Sequence, residues 1–335
     1  MSRKYQIFGV GNALVDIEVE TTADRLSELG VEKGLMTLVE PARQRELLDG
    51  LGGVQHKRTG GGSAANTIHA MSQLGSSCYY SCRVADDETG QFFADDMKAV
   101  GVETNAHTDK GTELPTGTCL VMVTPDADRT MNTNLGISAT LTPDQVVEEE
   151  LKQSEYLYIE GYLVSTPTSL RTAIRARHLA AEYGVKTAFT FSDPAMVKFC
   201  KEGLEHVLGD GVDVLLANEE EACGFTGCDT VEEAGDVLAK KAGIVAITCG
   251  PKGARIWDGE SWIVVAGHPV VAVDSNGAGD LFAGAFMYGL TAGLGCEVSG
   301  RLASLASAVL VTRFGARMSP VDLAAVKQLI LGGRA

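Results

Sequence analysis

The chain has 335 residues, 28 basic and 44 acidic, and a net charge of −16 at neutral pH. That length fits one large α/β domain or a core with a smaller appendage, and a hydrophobic fraction of 45% promises a sizeable core. The acidic balance excludes nucleic acid or an anionic membrane as a general partner, although a few local cations suffice to hold a small anion. The opening "MSRKYQIFGVGN" carries an apolar run too short for a signal peptide, and no stretch is long enough to span a membrane. Eight scattered cysteines form neither a CxxC pair nor a zinc spacing, so reduced thiols in a cytoplasmic protein are expected.

In chain order, "YQIFGVG" (5–11) reads as a buried strand. Its tail "GVGNAL" (9–14) begins like a dinucleotide fingerprint. Leu14 replaces the third glycine, however, and "VDIEVE" alternates as a strand where a helix would have to start. A nicotinamide dehydrogenase is therefore set aside, and with no G-x-x-x-x-G-K-[ST] so is P-loop chemistry. Three stretches, "DIEVE" (16–20), "GLMTLVE" (34–40) and "GTCLVMVTPDADRTMNTN" (117–134), read as strands and turns without helices. They predict a small antiparallel sheet over one end of the core, or else edge strands of the main sheet. "TGGGSAAN" (59–66) offers three glycines that let another body approach the backbone. The helix "SAANTIHAMSQLG" (63–75) follows, with Ser63 as N-cap and Gly75 as stop; a plain loop with a cap is the alternative.

"CYYSCRV" (78–84) is strand-like and "DETGQFFADDMKAVG" (87–101) helical. Strands at "YLYIEGYL" (156–163), "KTAFTFS" (186–192), "VDVLLAN" (212–218) and "IVAITCG" (244–250) alternate with helices near 168–183, 195–208 and 231–242. This rhythm predicts a parallel sheet covered on both faces, with ligands beyond the carboxyl ends of its strands.

Three motifs fall at strand ends. In "NEEEA" (218–222), Asn218 and Glu221 are one helical turn apart, suited to Mg²⁺ through water or to capping a helix. "TCGPKGA" (248–254) ends a strand in a glycine turn, on which a nucleotide could lie or which simply reverses the chain. "DSNGAGD" (274–280) follows the strand-like "WIVVAGHPVVAVDS" and opens the apolar helix "LFAGAFMYGL". Gly277, Ala278 and Gly279 then sit at a helix N-terminus, an anion site, with Asp280 beside it. Asp280 either neutralises the dipole or takes a hydroxyl proton in phosphoryl transfer. The dipole should depress its pKa, leaving a weak base in a loose transition state where alignment and charge stabilisation share the work.

In this order, "GNALVD" (11–16), "GGGSAAN" (60–66), "NEEE" (218–221), "TCGPKGA" and "DSNGAGD" resemble the PfkB/ribokinase family of ATP-dependent kinases, and within it the adenosine kinase branch. The resemblance implies a single α/β, ribokinase-like domain over 1–335: a Rossmann-like, mainly parallel sheet with helices on both faces, plus a small β-sheet lid from about 16–40 and 112–134. It implies Asp280 as base and Gly277, Ala278 and Gly279 as anion hole. Asn12, Asp16, Gly62, Ser63 and Asn66 match acceptor-binding positions, Tyr162 an aromatic against the acceptor base, and Arg129 a phosphate-contacting arginine. Asn218, Thr248, Gly250 and Gly253 match the ATP site, and Asn218 with Glu221 the Mg²⁺ motif.

The implied reaction moves the γ-phosphoryl group of ATP to the 5′-hydroxyl of a nucleoside, adenosine first. A fructokinase- or ribokinase-like sugar kinase and a non-catalytic ligand sensor are the alternatives. A monovalent cation is a further cofactor the family admits, and a monomer or homodimer the assembly. Ala65, Asp193 and the missing proline of "GNALVD" depart from eukaryotic adenosine kinases near the acceptor.

Overall fold

The computed structural model describes residues 3–51, 57–106 and 112–332. Its strands are β1 (Tyr5–Val10), β2 (Leu14–Glu20), β3 (Met36–Leu38), β4 (Lys57–Gly61), β5 (Cys78–Ser81), β6 (Glu103–Thr104), β7 (Thr116–Val123), β8 (Arg129–Gly136), β9 (Ser154–Glu160), β10 (Lys186–Thr190), β11 (Val212–Asn218), β12 (Ala242–Thr248), β13 (Gly253–Trp257) and β14 (Trp262–Ala266). Nine of them form the main sheet, in the order β14-β13-β12-β11-β10-β9-β1-β5-β6. The run from β6 to β12 is parallel, and β13 and β14 close one edge as antiparallel strands.

Alternate residues of the parallel strands other than β6 feed two apolar layers. Ile7, Tyr158 and Leu216 pack with Phe286 of the helix Ala278–Thr291, on one face. Phe8, Leu157 and Leu215 pack on the other with Leu179 of Pro167–Glu182 and Leu204 of Pro194–Leu208. Both faces are buried, so these strands are apolar throughout rather than alternating. Strand ends carry the polar residues, and all seven parallel strands present their carboxyl ends on one side.

The second sheet has the order β3-β8-β7-β2-β4, so the stretches lacking helical rhythm are not edge strands of the main sheet. It is mixed rather than antiparallel: β2 runs parallel to β7, and β3 to β8. It also recruits β4, which the sequence reading left out. The stretch 16–40 is not free of helix, because Thr22 caps the helix Ala23–Glu28. That helix and Pro41–Gly50 place Leu26 and Leu47 over Val19, Leu120 and Met122, closing the sheet's outer face. The inner face presents Leu14, Cys119 and Met131. Of "WIVVAGHPVVAVDS", only Trp262–Ala266 is strand, and the rest reaches the next helix irregularly. No helix among the described residues is long and apolar enough to cross a membrane.

Candidate active site

A cavity of about 240 Å³ lies between the carboxyl ends of the main strands and the inner face of the small sheet. It gathers Asn12, Asp16, Gly62, Ser63, Asn66, Arg129, Tyr162, Asn218, Glu221, Thr248, Gly277, Ala278, Gly279 and Asp280 on one wall or another. Gly250 and Gly253, from the glycine turn, are not on it.

Gly277 is the N-cap of Ala278–Thr291 and adopts φ +72°, with the Ala316 backbone where a Cβ would stand. Only glycine meets both conditions. A Cβ at Gly279 would meet open space, which leaves the first-turn N–H groups accessible to an anion. Asp280, in that turn, is half-buried. Its Oδ1 accepts from Ser63 Oγ at 2.7 Å and its Oδ2 from Asn66 Nδ2 at 2.9 Å. Burial outweighs these donors and the nearby Arg129 and Arg317, and raises its carboxyl above the usual carboxylate value. The depression expected from the helix dipole is therefore overruled by desolvation, and the better base results.

Ser63 does not cap its helix: Gly62, φ +94°, is the N-cap of Ser63–Leu74, and the Ser63 hydroxyl is free to serve Asp280. Nor do the glycines of "TGGG" admit an external body. Added Cβ atoms at Gly60, Gly61 and Gly62 would strike Arg317 with Asp96, the Asp16 carboxylate, and the Asn12 carbonyl. The loop is thin because the protein's own buried polar groups pass beneath it.

Asp16, 5% exposed, lies on the inner face of the small sheet with Leu14 and Glu18, as the period of two requires. Burial first, then Glu18 and Asp280, push its carboxyl up to about 7 against Arg317 and Asn276. A raised carboxyl loses its charge as pH falls through that value, so acceptor KM is expected to rise below about pH 7. Steady-state KM across this range checks it; a flat KM would remove Asp16 from the acceptor contacts. Asn12 Nδ2 is engaged by Glu160 at 2.8 Å, and its buried Oδ1 has no protein partner. A ligand hydroxyl satisfies such an atom, since leaving it bare costs ~1–3 kcal/mol.

Tyr162 is not at a strand end but in the 3₁₀ turn Gly161–Ser165, and its hydroxyl does not face water: it donates to Asp193 Oδ2 at 3.0 Å. Asp193 also caps the helix Pro194–Leu208, which gives this departure from eukaryotic adenosine kinases a structural role. Next to it Ser192, a non-glycine at φ +72°, accepts the Gly161 N–H at 2.8 Å. Arg129, on β8, is half-buried within the field of Asp193, Asp280 and Asp274.

Asn218 and Glu221 form a reciprocal cap of Glu219–Thr226: Glu221 N–H donates to Asn218 Oδ1 at 2.7 Å, and both oxygens of Glu221 accept from Asn218. Glu221 is 3% exposed, and burial pushes its carboxyl up to about 8. The capping reading thus holds as geometry. The two residues still line the cavity, and with inner lone pairs engaged they suit a hydrated rather than a directly coordinated cation. Among the described residues no cluster of three His, Cys, Asp or Glu forms a direct metal site. Gly253 (φ +99°) serves the β13–β14 hairpin, where the Val265 carbonyl and Gly267 N–H leave no room for a side chain. Gly250 is exposed.

Sequence reading missed Glu160, Asn276 and Arg317. An acid inside the apolar "YLYIEGYL" was a usable signal for Glu160, whereas Arg317 had none.

The solved structure of adenosine kinase from Sinorhizobium meliloti matches this fold with a TM-score of 0.92 and 31% identity, covering 97% of this chain and 99% of its own. A probable sugar kinase protein from Rhizobium etli CFN 42 matches with a TM-score of 0.92 and 31% identity, over 98% and 99%. Adenosine kinase 1 of Arabidopsis thaliana is 26% identical over 336 residues, 92% of this chain and 94% of its own. The model of the pfkB family of carbohydrate kinases matches residues 48–322, so this chain belongs to the PfkB family and is an ATP-dependent phosphotransferase with an alcohol group as acceptor.

Proposed function

We propose that the acceptor is a nucleoside, adenosine first, phosphorylated on its 5′-hydroxyl. The carrying observation is the contrast between the cavity's two walls. Asn12, Asp16 and Asn66 offer polar atoms to vicinal hydroxyls, while the small sheet faces them with Leu14, Met36, Leu38, Met131 and Leu135. A flat base covers such an apolar wall; a free sugar leaves it wet. The named adenosine kinases among the relatives support the same reading.

In this reading Asp280 accepts the proton of the attacking hydroxyl, and Ser63 and Asn66 hold the carboxylate in place. The N–H groups at Gly277 to Gly279 and the Arg129 guanidinium face the charge that develops on the transferred group. Asn218 and Glu221 would hold Mg²⁺ through its water, and Thr248 borders the ATP side. The cation supplies charge neutralisation on the donor's phosphates. The small sheet acts as a lid whose closure excludes water from the hydroxyl.

ATP turnover with adenosine, other nucleosides, ribose and fructose tests the acceptor. Adenosine is expected to be preferred, and Tyr162→Ala to raise its KM by roughly 5- to 150-fold, the equivalent of a stacked base at ~1–3 kcal/mol, with KM for ATP unchanged. Ready turnover of ribose or fructose without adenosine would hand the site to a sugar.

A further inference from the structure

We propose that Arg317 is a positioning residue of the phosphotransfer site. Its guanidinium fixes Asn66 so that Asn66 holds the Asp280 carboxylate, and its positive charge lies in the field of Asp16 and Asp280. The inference rests on the reading of Asp280 as the group that receives the acceptor's proton.

Arg317 belongs to "RFGARMSP" (313–320), which follows the helix Gly295–Leu310. The loop is pinned where Gly315 N–H donates to Asp274 Oδ2 at 2.9 Å. Its side chain is 8% exposed, unusual for arginine, and therefore has to be paired. Nε donates to Asn66 Oδ1 at 2.9 Å, and Nη1 pairs with Asp96.

A guanidinium has donors only. The atom of Asn66 that faces it is thus the oxygen, and the amide nitrogen turns to Asp280 Oδ2, 2.9 Å away. Arg317, Asn66 and Asp280 form a chain whose hydrogen-bond direction is set at the arginine. With a hydrocarbon group there, the Asn66 amide is free to flip and to present an acceptor to a carboxylate. Gly60 is part of the same device, since a Cβ there would stand 2.7 Å from Arg317 Nη1.

The charge acts beside the geometry. Arg317 faces Asp96, Asp16, Tyr80 and His69. Asp16 faces Glu18, Asp280, Asn276 and Arg317, and Asp280 faces Arg129, Ser63, Asn66 and Arg317. Glu160 lies in the field of Asp280. Of these groups Arg317 and Arg129 are the cations, because burial holds the His69 imidazole down to about 2. Without Arg317, Asp16 is left between two acids. Its charged form, and that of Asp280, is then lost at higher pH.

Three variants separate geometry from charge: R317K keeps the charge without the fork, R317Q keeps a donor for Asn66 without the charge, and R317M keeps neither. The pH profile of kcat/KM is measured with adenosine, or with whichever panel acceptor turns over fastest, alongside melting temperature. In R317Q and R317M the acid limb is expected to move up by about one pH unit or more, the usual effect of losing a neighbouring opposite charge. In R317K the limb stays and kcat falls about 10-fold, while R317M loses about 100-fold, as misplaced catalytic groups do. A limb that stays put in R317Q and R317M, or that moves equally in R317K, overturns the proposal; should R317M fail to fold, the other two decide it. Asp280→Asn run in parallel keeps the two readings apart: wild-type turnover there removes the base, whereas a fixed limb in R317Q with an inactive Asp280→Asn enzyme removes only the role of Arg317.

Discussion

Asp280→Asn is expected to fold as the wild type does and to lose at least about 10²-fold in kcat, the lower end of what a positioned base contributes. The fold should survive because the change is isosteric and the helix start does not depend on it: Gly277, not Asp280, is the N-cap of Ala278–Thr291. The two hydrogen bonds can also be remade. Asn keeps one oxygen for Asn66, and its amide can donate to Ser63 Oγ, which accepts as well as donates. Burial of a carboxylate is unfavourable here, as the raised pKa of Asp280 shows, so loss of the charge offsets part of any hydrogen-bond cost. Chemistry has no such compensation, since an amide cannot take the hydroxyl's proton. Single-turnover rates with melting curves decide it: a folded variant keeping more than about a tenth of the wild-type rate leaves alignment and the helix N-terminus to do the catalysis.

How far these features could be read in the sequence varies with their physical origin. The alternation of strands and helices was legible because both faces of β9 to β12 are buried, and an apolar run between turn signals has few other readings. The glycine motif at 274–280 was legible because positive φ and close packing leave glycine no substitute at Gly277. The mixed pairing of the small sheet was not: whether β2 meets β7 in parallel or antiparallel is settled by chain crossings that no local pattern records. "TGGG" was seen but given the wrong cause, because the groups that exclude a Cβ at Gly60 are Asp96 and Arg317, far away in sequence. Tyr162 was placed on a strand that ends two residues earlier, since tyrosine is at home in either setting and Asp193, its partner, comes from another loop. Arg317 carried no signal at all, as a buried arginine is spelled like an exposed one.

Glu160→Gln is expected to lower kcat/KM by about 10²-fold and to cost ~2 kcal/mol of stability, and Glu160→Ala ~3–5 kcal/mol. Glu160 ends β9 and is 1% exposed. Its Oε1 accepts from the backbone N–H and the side-chain amide of Asn12 at 2.7 and 2.8 Å, and its Oε2 accepts from the Ala64 N–H at 2.7 Å. One carboxylate therefore ties the loop after β1, which carries Asn12, to the start of the helix that carries Ser63 and Asn66. The neighbouring Gly11 has no room for a Cβ, which would stand 2.7 Å from Oε2. Glutamine has a single acceptor oxygen. If it serves Asn12, its own amide hydrogens meet the Ala64 N–H, donor against donor in a site closed to water; if it turns round, two donors of Asn12 are stranded. Either orientation moves one loop relative to the other, and Asn12, Ser63 and Asn66 lose their common frame. Burial already pushes the Glu160 carboxyl up to about 7, so removing its charge recovers some desolvation energy in either variant, and the glutamine costs less because it keeps an acceptor and the volume. Alanine strands all three donors and leaves a void besides. Chemical denaturation gives the stability order, and acceptor kinetics give the second readout. Wild-type kcat/KM in a destabilised Glu160→Gln enzyme would show that the two loops hold their places without the carboxylate between them.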